Sequence, residues 1–271
     1  MKRARCHGGA VMTALKKLQQ NWEELAQDDP LWAICSDPQK RGRNWDEEEF
    51  FATGEQEVRT VLEYVLALGV PLDFSATALD FGCGVGRLTR ALAGRFREGC
   101  GVDISPTMIE QARALNRDSR NCFFQLNQAN HFGAFTDGCF GFIYSSIVLQ
   151  HIEPRLALKY LRELVRVLKP GGVLVFQVAD RFKAGLVRRV RRRLALRRRM
   201  NATLGRRRTD FGMHCIAEAK LRRILAGERV HVHDVILTNS TEPDFNGDLR
   251  FLEREPAEGF VSKQYCVVKS A

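Results

Sequence analysis

The sequence predicts an α/β protein, a mostly parallel sheet with helices on both faces, and three stretches of the 271-residue chain carry that prediction. Residues 78–93, ALDFGCGVGRLTRALA, pass from an apolar run ending in an acid, through three glycines, into a segment with Leu88, Ala91 and Leu92 at helical spacing. Residues 100–106, CGVDISP, end a second apolar run on Asp103, after which Ser105 is suited to cap a helix and Pro106 to open it. Residues 161–178, LRELVRVLKPGGVLVFQV, place Leu161, Leu164, Val165 and Leu168 on one helical face, stop the helix at Pro170, Gly171 and Gly172, and resume as a Val-rich strand. Strands alternating with helices imply parallel pairing, both faces covered.

The elements follow in chain order. Residues 1–12, MKRARCHGGAVM, are basic without the apolar core of a secretory signal, and are expected to be a disordered extension, with Met12 a plausible alternative start. Residues 13–55 hold Trp22, Trp32, Trp45, Phe50 and Phe51 in a charged, helix-prone background, which predicts a helical lid or a helical layer packed on the sheet. The main domain is expected over 56–271. Its glycine loop has Gly82, Gly84 and Gly86 in a G-x-G-x-G pattern, unlike the G-x-G-x-x-G of dinucleotide-binding loops, and glycines here let the backbone approach a ligand closely. Asp103, 23 residues after Asp80, is placed to accept hydrogen bonds from the two hydroxyls of a ribose.

Together DFGCGVG and GVDISPTMIEQAR resemble the class I S-adenosylmethionine (SAM) methyltransferases, most closely the broad type 11 small-molecule group. The resemblance extends over roughly residues 56–271, through FGFIYSSIVLQHI at 140–152 and the KPGG turn. It implies a Rossmann-like, mostly parallel seven-stranded sheet with an antiparallel last strand, and SAM as cofactor. Carried over residue by residue, it puts Gly82, Cys83, Gly84 and Gly86 around the methionyl and ribose portion and Asp80 near the methionyl ammonium. Asp103 falls on the ribose, and Ile104 and Met108 on adenine. Asn127, in LNQAN, stands where many relatives carry an acid facing the adenine amino group; its amide oxygen can accept the same bond. Gln128 and Ser145 complete the expected cofactor set. Gly141 replaces the aspartate of the family's usual F-D-x-I pattern, an aspartate read as structural.

Because the sulfonium methyl is already electrophilic, the protein's tasks are to align a nucleophile and to exclude water, with a proton left to remove. His151, after the fourth strand, is the candidate general base; the alternative is a histidine that merely packs at a helix start. Tyr144 and Gln150 are candidates for orienting the acceptor. Neither an Asn-Pro-Pro-Tyr turn nor a Pro-Cys pair is present, which argues against nucleobase methylation.

Net charge is +10, yet residues 181–208 hold twelve Arg, one Lys and no acid, so the rest of the chain is slightly acidic. Leu186, Val190 and Leu194 predict an amphipathic helix in that insertion. It could pack on the body, or attract an anionic acceptor, an anionic membrane surface or nucleic acid. Residues 239–260 carry six acids against two Arg and could neutralise part of it within the molecule, which weakens the nucleic-acid reading. The eight cysteines are scattered and never form C-x-x-C, as expected of free thiols in a reducing cytoplasm. His231 and His233 alternate on one predicted strand, too little to predict a metal. No apolar run is long enough to span a bilayer.

The expected activity is thus methyl transfer from SAM to an O or N atom of a small or lipid-linked metabolite. RNA methylation and a non-catalytic SAM-binding interaction protein are the alternatives.

Overall fold

The computed structural model describes residues 5–184, 212–242 and 245–270, with side chains from residue 13 onward. Most of the Arg-rich insertion, with its expected amphipathic helix, therefore lies outside the described residues.

Among the described residues, eight strands form one sheet in the order β3-β2-β1-β4-β5-β8-β6-β7. They are β1 (Thr77–Phe81), β2 (Glu98–Asp103), β3 (Cys122–Leu126), β4 (Phe140–Ser145), β5 (Leu168–Lys183), β6 (Val230–Thr238), β7 (Phe251–Leu252) and β8 (Gly259–Lys269). β1 to β5 pair in parallel, and β8 inserts antiparallel between β5 and β6, as expected for the last strand. The strand count is eight rather than the predicted seven. The extra strand is the two-residue β7, pairing Phe251 and Leu252 with Thr238 and Leu237, and two residues are too few to leave a periodic signal. The KPGG segment is also not a separate turn: residues 169–172 bulge out of β5, between the Phe140–Leu168 and Phe142–Val173 pairs.

The strand order reverses between β1 and β4. Chain progress runs outward through β2 and β3 on one side and through β5 on the other, so the loops after β1 and β4 diverge and leave a crevice at their carboxyl ends.

Seven α-helices are described: α1 (Arg5–Asp28), α2 (Pro30–Ile34), α3 (Glu47–Ala67), α4 (Arg87–Ala93), α5 (Pro106–Leu115), α6 (Pro154–Val167) and α7 (Glu218–Leu225). One face of the sheet, with Leu79, Phe81 and Ile143, packs against α6 through Leu156, Leu161 and Leu164 and against α7 through Leu221 and Leu225. The other face, with Ala78, Phe142 and Tyr144, packs against Val58, Val61, Leu62 and Val65 of α3 and Leu88 and Leu92 of α4. This two-sided split is the alternation of strand side chains made visible, and each buried leucine stabilises by about 2 kcal/mol.

The amino-terminal residues form helices that reach past the expected boundaries. α1 begins at Arg5, inside the segment expected to be disordered, and α3 runs through position 55 into the main domain. α3 starts at Asp46, whose side chain accepts from the Glu49 amide at 2.9 Å, with Glu47, Glu48 and Glu49 favourably placed in the first turn. It ends at Gly69, whose positive φ of 75° lets Val70 N bond Val65 O and Gly69 N bond Leu66 O, the paired bonds of a Schellman motif.

Candidate active site

The glycine loop hangs from β2. Gly82 N and Cys83 N both donate to Val102 O, at 2.8 and 3.1 Å, so the loop curls over the end of the neighbouring strand. Gly82 and Gly84 adopt positive φ (80° and 53°), and both meet other segments at close quarters: a Cβ on Gly82 would run into Val148 and one on Gly84 into Ile34 of α2. Gly84 N donates to Asp103 Oδ2 and Ser105 N to Asp103 Oδ1, each at 2.9 Å. Asp103 is thereby fixed in orientation, with lone pairs left for further donors. Burial raises its pKa, opposed by these backbone hydrogen bonds. Ser105 caps α5, accepting from Met108 N at 3.1 Å.

A cavity of about 400 Å³ opens beside this loop. It is lined by Gly82, Gly84, Asp103, Ile104, Met108 and Asn127, by Val148, Gln150 and His151 after β4, by Met213, and by Ser240, Thr241, Glu242 and Phe245 after β6. α1 and α2 cover it with Leu18, Trp22 and Ile34. The Trp22 ring meets His151 edge-on, with centroids 5.6 Å apart. Glu23, next on α1, clasps the start of α5: Ser105 Oγ donates to it at 2.6 Å, and Thr107 donates through its amide and its hydroxyl. Although burial opposes ionisation, these bonds leave the Glu23 pKa below the ordinary value.

The predicted cofactor residues divide cleanly. Gly82, Gly84, Asp103, Ile104, Met108 and Asn127 line the cavity, while Asp80, Cys83, Gly86, Gln128 and Ser145 do not. Asp80 is paired in register with Tyr144, and both side chains point to the α3–α4 face. There Asp80 accepts from Thr89 Oγ1 of α4 at 2.7 Å, and burial raises its pKa to about 7. Tyr144 donates its hydroxyl to Glu57 Oε1 of α3 at 2.8 Å, so it is turned away from the cavity. Ser145 donates to Phe81 O at 3.2 Å and is buried within the sheet. Gly86, with φ of 89°, packs against Phe124 and begins α4.

His151 lines the cavity beside Trp22. Burial lowers its pKa to about 4, a backbone hydrogen bond with Gly212 pulls it upward, and neighbouring His214 pulls it down. The imidazole is thus uncharged at neutral pH.

Not expected from the sequence are Ile34, Met213 and Phe245 as lining residues and the Arg87–Glu57 pair beneath the loop, a buried contact of 2.6 Å. The three lining residues come from segments with no local motif, and Arg87, although inside the glycine-loop motif, meets Glu57 of α3 only in the folded chain.

Residues 79–176 match the family model described as a methyltransferase domain. A trans-aconitate 2-methyltransferase of Rhodopseudomonas palustris is 31% identical over 140 residues, 51% of each chain. The chain thus spans about half the length of the curated relatives it matches. Among solved structures, phosphoethanolamine N-methyltransferase 1 of Haemonchus contortus, in complex with phosphoethanolamine and S-adenosylhomocysteine, aligns with a TM-score of 0.61 at 13% identity, covering 96% of this chain and 50% of that one. The magnesium protoporphyrin IX methyltransferase of Synechocystis, with bound S-adenosylhomocysteine, aligns at 0.52 and 20% identity, covering 81% and 84%. At such identities the likeness is one of fold.

Proposed function

We propose that this chain, whose residues 79–176 match a methyltransferase-domain model, is a class I SAM-dependent methyltransferase that moves the SAM methyl group to an O or N atom of a small-molecule acceptor. What supports this most is that the glycine loop, Asp103 and His151 all line the same cavity. The loop backbone would face the methionyl and ribose portion, Asp103 the ribose hydroxyls, Ile104 and Met108 the adenine ring, and Asn127 its amino group. SAM supplies an activated methyl. The protein aligns the acceptor and, with α1 and α2 across the opening, excludes water.

In the transfer the S–CH₃ bond breaks as the acceptor's O–CH₃ or N–CH₃ bond forms, and the sulfonium becomes a neutral thioether. The acceptor's proton passes to the uncharged His151, so one positive charge leaves sulfur as another appears on imidazole. The same cavity has the apolar side chains of Leu18, Trp22, Met213 and Phe245 beside the hydroxyls of Ser240 and Thr241 and the carboxylate of Glu242. This suits a molecule with an apolar body and one nucleophilic group. Of the basic stretch, the described Arg181 and Lys183 pair with Glu255 of the acidic 239–260 segment, so there the charge is met internally. A cytoplasmic setting accords with the seven described cysteines, all free thiols.

The test is incubation with methyl-labelled SAM and fractionated small-molecule extract. Label in a low-mass apolar product supports the reading. Label confined to RNA or protein, or cofactor binding without transfer to any fraction, contradicts it.

A further inference from the structure

Behind His151 lies a chain of buried side-chain amides and hydroxyls whose donor and acceptor roles fix one another. It starts at Ile147, a β-branched residue held at a positive φ of 59°, a strained conformation for such a side chain. Ile147 N can only donate, and it faces Gln177 at 3.2 Å, so the atom it meets is the carbonyl Oε1. Gln177 Nε2 therefore points the other way, donating to Gln150 Oε1 at 2.9 Å and to Ser262 Oγ at 2.7 Å. With its oxygen committed, Gln150 presents Nε2, a donor, to His151 Nε2 at 3.2 Å. That contact is a hydrogen bond only if His151 Nε2 carries a lone pair and the ring proton sits on Nδ1. The other branch continues from Ser262 to Thr238 at 2.7 Å and on to Ser240 at 3.0 Å, which lines the same cavity.

We propose that Gln177 is a positioning residue which, through Gln150, holds His151 as the neutral imidazole protonated at Nδ1, and so keeps a second positive charge out of the cavity that receives a sulfonium. The sulfonium half rests on the methyl-transfer reading above; the tautomer half rests on the hydrogen bonds alone. Before transfer an imidazolium would set an N–H against the Gln150 amide N–H, which Gln150 cannot relieve by turning without breaking its bond from Gln177; the ring takes the acceptor's proton at Nε2 only as the acceptor's own O–H or N–H replaces the Gln150 amide there and the sulfonium charge is lost. The ionisable groups that share the cavity with His151 are Asp103, Tyr160 of α6 and Glu242. His214 adjoins it, with its backbone N donating to Gln150 O at 2.7 Å, and α1 contributes Leu18 and Trp22 to the lining.

The substitution that reverses the chain is Gln177→Glu. A carboxylate can accept from Ile147 N and from Ser262 but cannot donate to Gln150, so the Gln150 amide turns and offers Oε1 to His151. That selects the Nε2–H tautomer and favours the imidazolium.

Nitrogen NMR of the full-length, ¹⁵N-histidine-labelled protein tests this without any ligand. Of the six histidines, His151 is assigned by its loss in His151→Asn. The wild type is expected to show the Nδ1–H tautomer at pH 7.5 and to keep it to pH 5.5, whereas Gln177→Glu shows Nε2–H or the imidazolium. In parallel, calorimetry compares SAM with its neutral product S-adenosylhomocysteine at pH 8 and 5.5. The affinity ratio stays constant in the wild type, shifts against SAM by about tenfold on acidification in Gln177→Glu, and is constant again in Gln177→Glu/His151→Asn. Should Gln177→Glu not fold, Gln150→Met takes its place, and loss of the single fixed tautomer is the expected result. A wild-type His151 that carries its proton on Nε2, or titrates near 6.5, overturns the proposal, as does an unchanged tautomer in the variants. If neither ligand binds the wild type, the methyl-transfer reading fails while the tautomer still decides the relay.

Discussion

At the residue scale, Gly84 joins two demands that no other side chain meets: a left-handed backbone and contact with Ile34 of α2. Gly84→Ala is therefore expected to cost about 1–2 kcal/mol in backbone strain and to displace α2 from the loop, weakening S-adenosylhomocysteine binding at least tenfold by calorimetry. Asp80 makes a different kind of prediction. Its folded pKa of about 7 lies above the value near 3.9 of an unfolded chain, so between about pH 4 and pH 7 the folded state binds more protons. The contribution of this group to stability falls as pH rises through that window and levels off above it. Asp80→Asn, which can still accept from Thr89, should remove that slope. Urea melts at pH 5 and pH 8 check it: wild type is expected to lose stability relative to the variant on going to pH 8. The glycine loop and Asp103 at the end of β2 were legible in the sequence because their geometry is local, set by positive φ and a strand end. The places of Asp80 and Tyr144 were not, because strand alternation turns both toward α3 and α4, away from the cavity, and a motif does not state which face it uses.

At the element scale, the sheet's reverse side braces the site. Arg87, the first residue of α4, pairs with Glu57 of α3, both almost fully buried, and Tyr144 donates to the same carboxylate. Removing one member strands a buried charge, so Glu57→Ala should destabilise by about 3–5 kcal/mol in denaturant melts; a loss under 1 kcal/mol would show the pair to be unimportant. α1 is clasped to α5 by Glu23 on Ser105 and Thr107, beside the bond from Gln111 to Ala26 O, and opening the Glu23 clasp should expose the cavity without unfolding the sheet. Glu23→Ala is expected to speed S-adenosylhomocysteine dissociation several-fold in stopped flow at nearly unchanged melting temperature; an unchanged dissociation rate would deny α1 a covering role. The helical character of this region was readable from its composition. The clasp was not, since Glu23 and Ser105 are 82 residues apart.

At the scale of the whole molecule, the reversal of strand order between β1 and β4 opens the crevice, and everything placed around it follows. The alternating strand and helix pattern made this architecture legible, and the departures are small: β7 is too short to show a period, and the KPGG residues bulge within β5 instead of ending it. His151 was legible beside the fourth strand, but other lining residues were hidden for a physical reason: Leu18, Met213 and Phe245 come from three distant segments, each ordinary in its own neighbourhood. On the proposed reading this crevice holds SAM through the glycine loop and Asp103. The most direct test of that reading is calorimetric titration of the full chain with S-adenosylhomocysteine, beside Asp103→Ala. One site per chain, weakened at least tenfold in the variant, is the predicted result; no binding to the wild type, or equal binding to both, would contradict it.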